Sequence, residues 1–141
     1  MRSTSADHEL ASRLRYAIAR SARRLRQEAG TELSASLTAA LATIERHGPL
    51  TPSELAARER VQRPTVTRVV CRLEEGGLVT RAADPTDGRS ALITITPAGR
   101  ALLAAARTHK DAFLSERLDA LSAEDRATLE RAAALLEGLL E

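Results

Sequence analysis

Aromatic residues are nearly missing from this sequence, which holds one tyrosine, one phenylalanine and no tryptophan in 141 residues. That shortage argues against a surface that stacks unpaired RNA bases, and it leaves leucine, alanine, valine and isoleucine to fill the interior. Cysteine is as scarce. Cys71 alone cannot close an internal disulfide, whereas small secreted scaffolds use several. No apolar run approaches the roughly 18 residues that a membrane span requires, and Met1-Arg2-Ser3-Thr4-Ser5-Ala6-Asp7-His8 has no hydrophobic signal core. The expectation is a cytoplasmic protein with no membrane association. Signatures of catalysis are absent too: there is no phosphate-cradling glycine loop with a lysine, and His8, His47 and His109 are widely separated. Glu45 with His47, or His109 with Asp111, would need further ligands to hold a metal. Neither an enzyme, a metal nor a cofactor is expected.

Lysine is the last scarcity, with Lys110 alone beside an abundance of arginine. Bidentate anion binding favours arginine, and a biased genome composition produces the same excess. The formal net charge is only +2, yet the charge is segregated. Arg2, Arg13, Arg15, Arg20, Arg23, Arg24 and Arg26 dominate the first 30 residues, whereas acidic residues outnumber basic ones after residue 107. One end favours a polyanion and the other avoids it. With 43% hydrophobic and 28% charged residues, the chain fits one globular domain that buries roughly two-thirds of its extended surface.

Leu10, Leu14, Ala17, Ile18, Ser21, Ala22 and Leu25 recur at three- and four-residue spacing, which predicts a helix over 7–29 ended by Gly30. A second helix, marked by Leu37, Leu41, Ala42 and Ile44, stops at His47-Gly48-Pro49. Thr51-Pro52-Ser53-Glu54 reads as a capping box with proline at the first helical position, opening a short helix to about Arg58 with Leu55 and Ala56 inward. A fourth helix over about 62–75 ends at Gly76-Gly77, where glycine supplies the left-handed cap. The period then changes. Residues 78–81 and 91–96 are β-like, and the turn formers of 82–89 make them a hairpin with a polar tip. Thr96-Pro97 opens a long fifth helix, and Ser122-Ala123-Glu124-Asp125 opens a last one.

A short helix, a turn, a second helix and a β-hairpin, in that order over 51–96, form the layout of a winged helix-turn-helix, whose second helix enters a DNA major groove. At about 100° per residue, Val66, Val69, Val70 and Leu73 face inward, while Pro64, Thr65, Thr67, Arg68, Cys71 and Arg72 lie opposite. Arginine forks suit guanine edges, and hydroxyls or backbone N–H groups suit phosphates. Alone, such a face is also what any solvated helix presents; beside the short helix and hairpin it points to DNA. Arg89, just past the Asp87-Gly88 turn, is placed to lie along a minor groove or phosphate run, with Asp84 or Asp87 able to hold its guanidinium as a surface ion pair. The expected fold is therefore mainly α with a small β-hairpin wing. The first and last two helices carry more leucine and alanine than one small winged domain covers, so a second copy is the economical place to bury them. The expected division is an N-terminal dimerisation helix (1–36), a winged helix-turn-helix (37–97) and C-terminal dimerisation helices (98–141).

Pro64-Thr65-Val66-Thr67-Arg68-Val69-Val70 with Leu73-Glu74 and Gly77-Leu78-Val79, then Asp84-Pro85-Thr86-Asp87-Gly88-Arg89 and Leu92-Ile93-Thr94-Ile95-Thr96-Pro97-Ala98-Gly99, resemble the recognition helix and wing of the MarR family of bacterial transcriptional regulators. The flanking helices match in number and length, so the resemblance covers nearly the whole chain. It implies a homodimer bound to a pseudo-palindromic operator in double-stranded DNA, acting as a repressor that a small phenolic or lipophilic effector, or an oxidant, releases. It places base and phosphate contacts on Arg63, Thr65, Thr67, Arg68 and Arg72, beside Pro64, with Arg89 as the wing arginine. Three positions depart from the family pattern: Gln62 stands where a serine cap is common, Arg60 where glycine often sits, and Gly88 in place of the first arginine of a wing pair. The resemblance also suggests an effector pocket between the first two helices, the winged domain and the fifth helix, with Arg15, Tyr16 and His47 as polar candidates. Two other readings stand beside it. One is a winged helix that binds protein. The other is a thiol-based redox regulator in which oxidation of Cys71 adds bulk and charge at the DNA face.

Overall fold

The computed structural model describes residues 4–141. Met1, Arg2 and Ser3, which belong to the signal-core reading, the charge count and the 1–36 segment above, lie outside the described residues. Eight elements follow in chain order: α1 (Ser5–Glu28), α2 (Ala35–His47), α3 (Pro52–Glu59), α4 (Arg63–Glu75), β1 (Val79–Ala83), β2 (Ala91–Ile95), α5 (Pro97–Asp119) and α6 (Ala123–Leu139).

Local chemistry sets most of the boundaries. Thr4 caps α1 through a full capping box, its hydroxyl taking the Asp7 amide while the Asp7 carboxylate takes the Thr4 amide. Those bonds, the Thr4 amide among them, hold the Asp7 carboxyl below its ordinary range. At α3 only half of the expected box forms. Thr51 Oγ1 accepts the Glu54 amide at 3.2 Å, but the exposed Glu54 carboxylate makes no return bond among the described residues and is left to water. The helix ends with Arg60 in the left-handed region, φ 55° and ψ 45°, so the departure noted at this position is a non-glycine residue doing a glycine's work.

The end of α4 is closed by a paired motif in which Leu78 N donates to Leu73 O and Gly77 N to Glu74 O, both at 2.9 Å. Gly77 takes the positive φ, 72°, and Gly76 does not. The chain then runs straight into the hairpin, which pairs Val79 with Ile95 and Ala83 with Ala91. Ala82 and Ala83, expected in the loop, extend β1, and Thr96, expected both to end the second strand and to open the fifth helix, lies outside β2 and caps α5. One partner was invisible to periodicity: Leu50 bridges Ile93 with backbone bonds of 3.0 and 2.7 Å, adding a third edge to the sheet.

A single core joins these parts. Leu41 and Ile44 of α2, Leu55 of α3, Val66, Val70 and Leu73 of α4, Val79 of β1, Ile93 of β2 and Leu103 of α5 are all nearly removed from water. Each such side chain contributes about 1.5–3 kcal/mol of transfer free energy, and together they fix α4 against the hairpin. By contrast, α1 and α6 contain no buried residue at all.

Candidate nucleic-acid interface

Burial of Val66, Val70 and Leu73 turns the opposite side of α4 outward, and Arg63, Pro64, Thr67, Arg68 and Arg72 are all exposed on it. Neither Arg68 nor Arg72 enters an ion pair among the described residues, so both forks are open to an external anion. Arg63 is held differently. Its Nη1 donates to Ser53 Oγ at 2.5 Å, which ties the start of α4 to α3. Thr67 Oγ1 donates back to Arg63 O at 3.1 Å, leaving its lone pairs to accept. Gln62 makes no side-chain cap; Pro64 has no N–H, and the Thr65 and Val66 amides turn back to Gln62 O at 3.0 and 3.2 Å, so the start of α4 offers side chains rather than spare amides to an anion.

Two residues expected on this outer face sit elsewhere. Thr65 is half-buried, lining a groove behind α4 rather than its front. Cys71 is half-buried as well and lies against Arg81 of β1, on the wing side of the helix. Thr65 flanks the buried face on the helical wheel and lines the groove shared with α2, whereas Cys71, on the outer side of the wheel, is covered from β1.

The wing is braced by an ion pair that sequence reasoning missed. Arg81 donates to both Glu74 oxygens, at 3.1 and 2.9 Å, clamping the last turn of α4 to β1. This fork lowers the Glu74 carboxyl below its ordinary value and raises Arg81. A lone arginine on β1, four residues past the helix-ending Gly77, was the available signal. At the tip, the expected pairing of Arg89 with an aspartate does not form among the described residues. Asp84 instead accepts the Thr86 amide at 2.9 Å and the Thr86 hydroxyl at 2.8 Å, and Asp87 accepts the Arg89 amide at 3.1 Å. The Thr86 bonds, the amide first, hold the Asp84 carboxyl low. Aspartates in turns bind the amide two residues on more readily than a mobile guanidinium, so they shape the loop and leave the exposed Arg89 side chain without a carboxylate. The result is a preorganised loop presenting one positive charge.

The three effector candidates are not brought together. Tyr16 lines a groove of about 490 Å³ between α1 and α5, where the Arg117 guanidinium lies 3.6 Å from the centre of the Phe113 ring and Arg24 5.0 Å from it. His47 lies in a separate depression with Thr43, Arg46 and Arg107. Arg15 is exposed and lines neither. Tyr16 belongs to α1 and His47 to the end of α2, where Arg107 of α5 lines the His47 depression and pairs with Glu45 at 2.9 Å. No group of three or more metal-capable side chains forms among the described residues, and no described helix is long and apolar enough to cross a membrane.

Comparison with known proteins places this geometry. A family model described as "MarR family" matches residues 33–91. An HTH-type transcriptional regulator of Mycobacterium tuberculosis is 40% identical over 136 residues, covering 96% of this chain and 95% of the relative. Among solved structures, a transcriptional regulator protein from Pseudomonas aeruginosa superposes with a TM-score of 0.90 at 34% identity over 99% of both chains. A mutant of MepR from S. aureus bound to an oligodeoxyribonucleotide shares the fold, with a TM-score of 0.72 at 20% identity over 94% of this chain and 98% of its own.

Proposed function

The chain belongs to the MarR family of helix-turn-helix transcriptional regulators, and from that premise we propose that it works as a homodimeric, cytoplasmic repressor that holds a pseudo-palindromic operator and releases it when a small molecule binds. The observation that carries this reading is the exposed arginine face of α4, fixed by buried valines behind it and flanked by a preorganised wing. Arg68 and Arg72 read base edges or phosphates in the major groove, the tethered Arg63 grips the backbone, and Arg89 follows the adjacent minor groove. Repression asks no more than occupancy of promoter DNA.

Pairing of two copies is supported by the terminal helices. Leu135 and Leu139 are 74% and 71% exposed, and Leu10 is 55% exposed, a concentration of apolar surface on the elements that bury nothing within the chain. Charge agrees with shape, since α1 carries Arg13, Arg20, Arg23 and Arg24 while α6 carries Glu124, Asp125, Glu130 and Glu137. A two-fold dimer spaces its recognition helices by one DNA turn, about 34–36 Å.

Footprinting on the DNA upstream of the gene, followed by anisotropy titration of the protected duplex and a scrambled one, tests the proposal. Specific binding should exceed scrambled by about 10³-fold or more, with a log–log salt slope of roughly −5 or steeper if six phosphates are neutralised. Equal affinity for both duplexes refutes it.

A further inference from the structure

The helix that carries the arginine face has a hollow behind it. Between α2, α3 and α4 lies a groove of about 340 Å³, at the small end of the range for small-molecule sites. It is open because α2 presents alanines, Ala35 and Ala39, where larger side chains would close the gap. Val61 and Val69 make apolar walls, and Val61 remains 39% exposed at the mouth. The one charged group lining the groove is Glu59, at the end of α3. Its Oε1 accepts the Thr43 hydroxyl, which fixes the carboxylate from the α2 side, and it enters none of the ion pairs among the described residues.

We propose that this groove binds a compact organic ammonium ion, its apolar body between the alanine floor and the valine walls and its N–H donating to Glu59. The chemistry selects that class. An anionic ligand meets the carboxylate as a like charge, and a neutral one covers Glu59 without supplying a charged partner, which costs desolvation that nothing returns. No aromatic side chain lines the groove, so the charge must be met by the carboxylate rather than by a ring face. The site is distinct from the arginine-rimmed groove between α1 and α5, whose charge suits the opposite ligand.

The position of the groove gives it a consequence for DNA, and this step rests on α4 being the DNA-reading helix. Thr65 and Val69 belong to both the groove wall and α4, within a turn of Pro64 and Arg68. An occupant bears on the inner face of α4, and any difference in its affinity for the DNA-bound and free poses shifts the balance between them.

The test uses the full-length ¹⁵N-labelled chain with three probes of one shape: hexylammonium, hexanoate and 1-hexanol. Hexylammonium should shift the amides of Ala35, Ala39, Val61 and Val69 saturably, at least ten-fold more tightly than either other probe. Glu59→Gln keeps an acceptor for Thr43 and should lower hexylammonium affinity at least ten-fold, to that of hexanol. Ala39→Leu should fill the groove and abolish the shifts. Saturating hexylammonium should weaken operator binding at least three-fold in the parent and leave Ala39→Leu unaffected. Shifts confined to α1 and α5, equal binding of hexanoate, or an indifferent Glu59→Gln overturns the site. If either variant fails to fold, the contrast between hexylammonium and hexanoate on the parent chain decides. Operator binding without probe is measured on the same samples: specific binding without groove shifts refutes this site alone, whereas its loss refutes the regulator reading and leaves the shift map to judge the groove.

Discussion

Gly99 is the position where one added methyl group should do most damage to the DNA-binding unit. It lies in the first turn of α5, where the helix runs up against the start of the wing. A Cβ built there meets Leu78 O at 2.4 Å and Ile95 Cγ1 at 2.7 Å. Ordinary contacts begin near 3.4 Å, so helix and hairpin must part by about 1 Å. The obstructing oxygen is backbone, and it already accepts Thr96 N at 3.0 Å; Thr96 Oγ1 donates to Gly77 O at 2.7 Å across the same junction. Stretching two such bonds costs about 1 kcal/mol each, and overpacking Ile95 adds about 1–3 kcal/mol. Gly99→Ala should therefore lose roughly 3–5 kcal/mol, which lowers Tm by about 10 °C or more for a chain of this size. Gly77→Ala is the internal comparison. Nothing lies within 4 Å of its added Cβ, so only the φ of +72° penalises it, about 1–2 kcal/mol. Gly88→Ala meets nothing and has no positive φ, and it should be near neutral. Thermal unfolding by circular dichroism at one fixed protein concentration ranks the three. A Gly88 variant as damaged as the Gly99 variant would show that the junction between wing and α5 is not the tight contact described.

Arg89→Ala should weaken binding to all duplexes alike and make the salt slope smaller by about 1, whereas Arg68→Ala should cost roughly 1–3 kcal/mol at the specific site and relax base preference there, both read by anisotropy titration. Arg60→Gly should stabilise by about 0.5–1 kcal/mol, because relief of the left-handed strain at φ 55° exceeds the entropy that glycine adds to the unfolded chain; a lowered Tm refutes the strain. Glu74 is held below its ordinary 4.5, first by the Arg81 hydrogen bonds, so its contribution to stability is complete above pH 4.5 and fades as pH falls through the lower folded value. Glu74→Gln should accordingly flatten the acid limb of a Tm-against-pH curve, and an unchanged limb would remove the clamp from the account.

The recognition helix was legible because its signals act over one helical turn. Val66, Val70 and Leu73 are spaced to share a face whatever they pack against, and Gly77 stops the helix by its positive φ. The same locality explains where the reading slipped. Thr65 lies at the edge of that face and Cys71 on the outer side, and whether a neighbour covers either depends on how α2 and β1 pack against α4. Tyr16 and His47 looked like partners because both belong to helices expected around one pocket, yet Tyr16 lines a groove with α5 residues while His47 lies in a separate depression with Arg46 and Arg107.

The order of helices, the turn into the wing, the arginine face and the surplus of apolar residues at both ends are written in the sequence, since periodicity, caps and charge are set by residues three or four apart. Tertiary structure alone decided that Leu50 joins the sheet, that Arg81 clamps Glu74, and that an alanine-floored groove with Glu59 at its edge stays open behind α4. Those outcomes turn on distances between elements remote in the chain, and such distances are fixed only when many side chains pack at once.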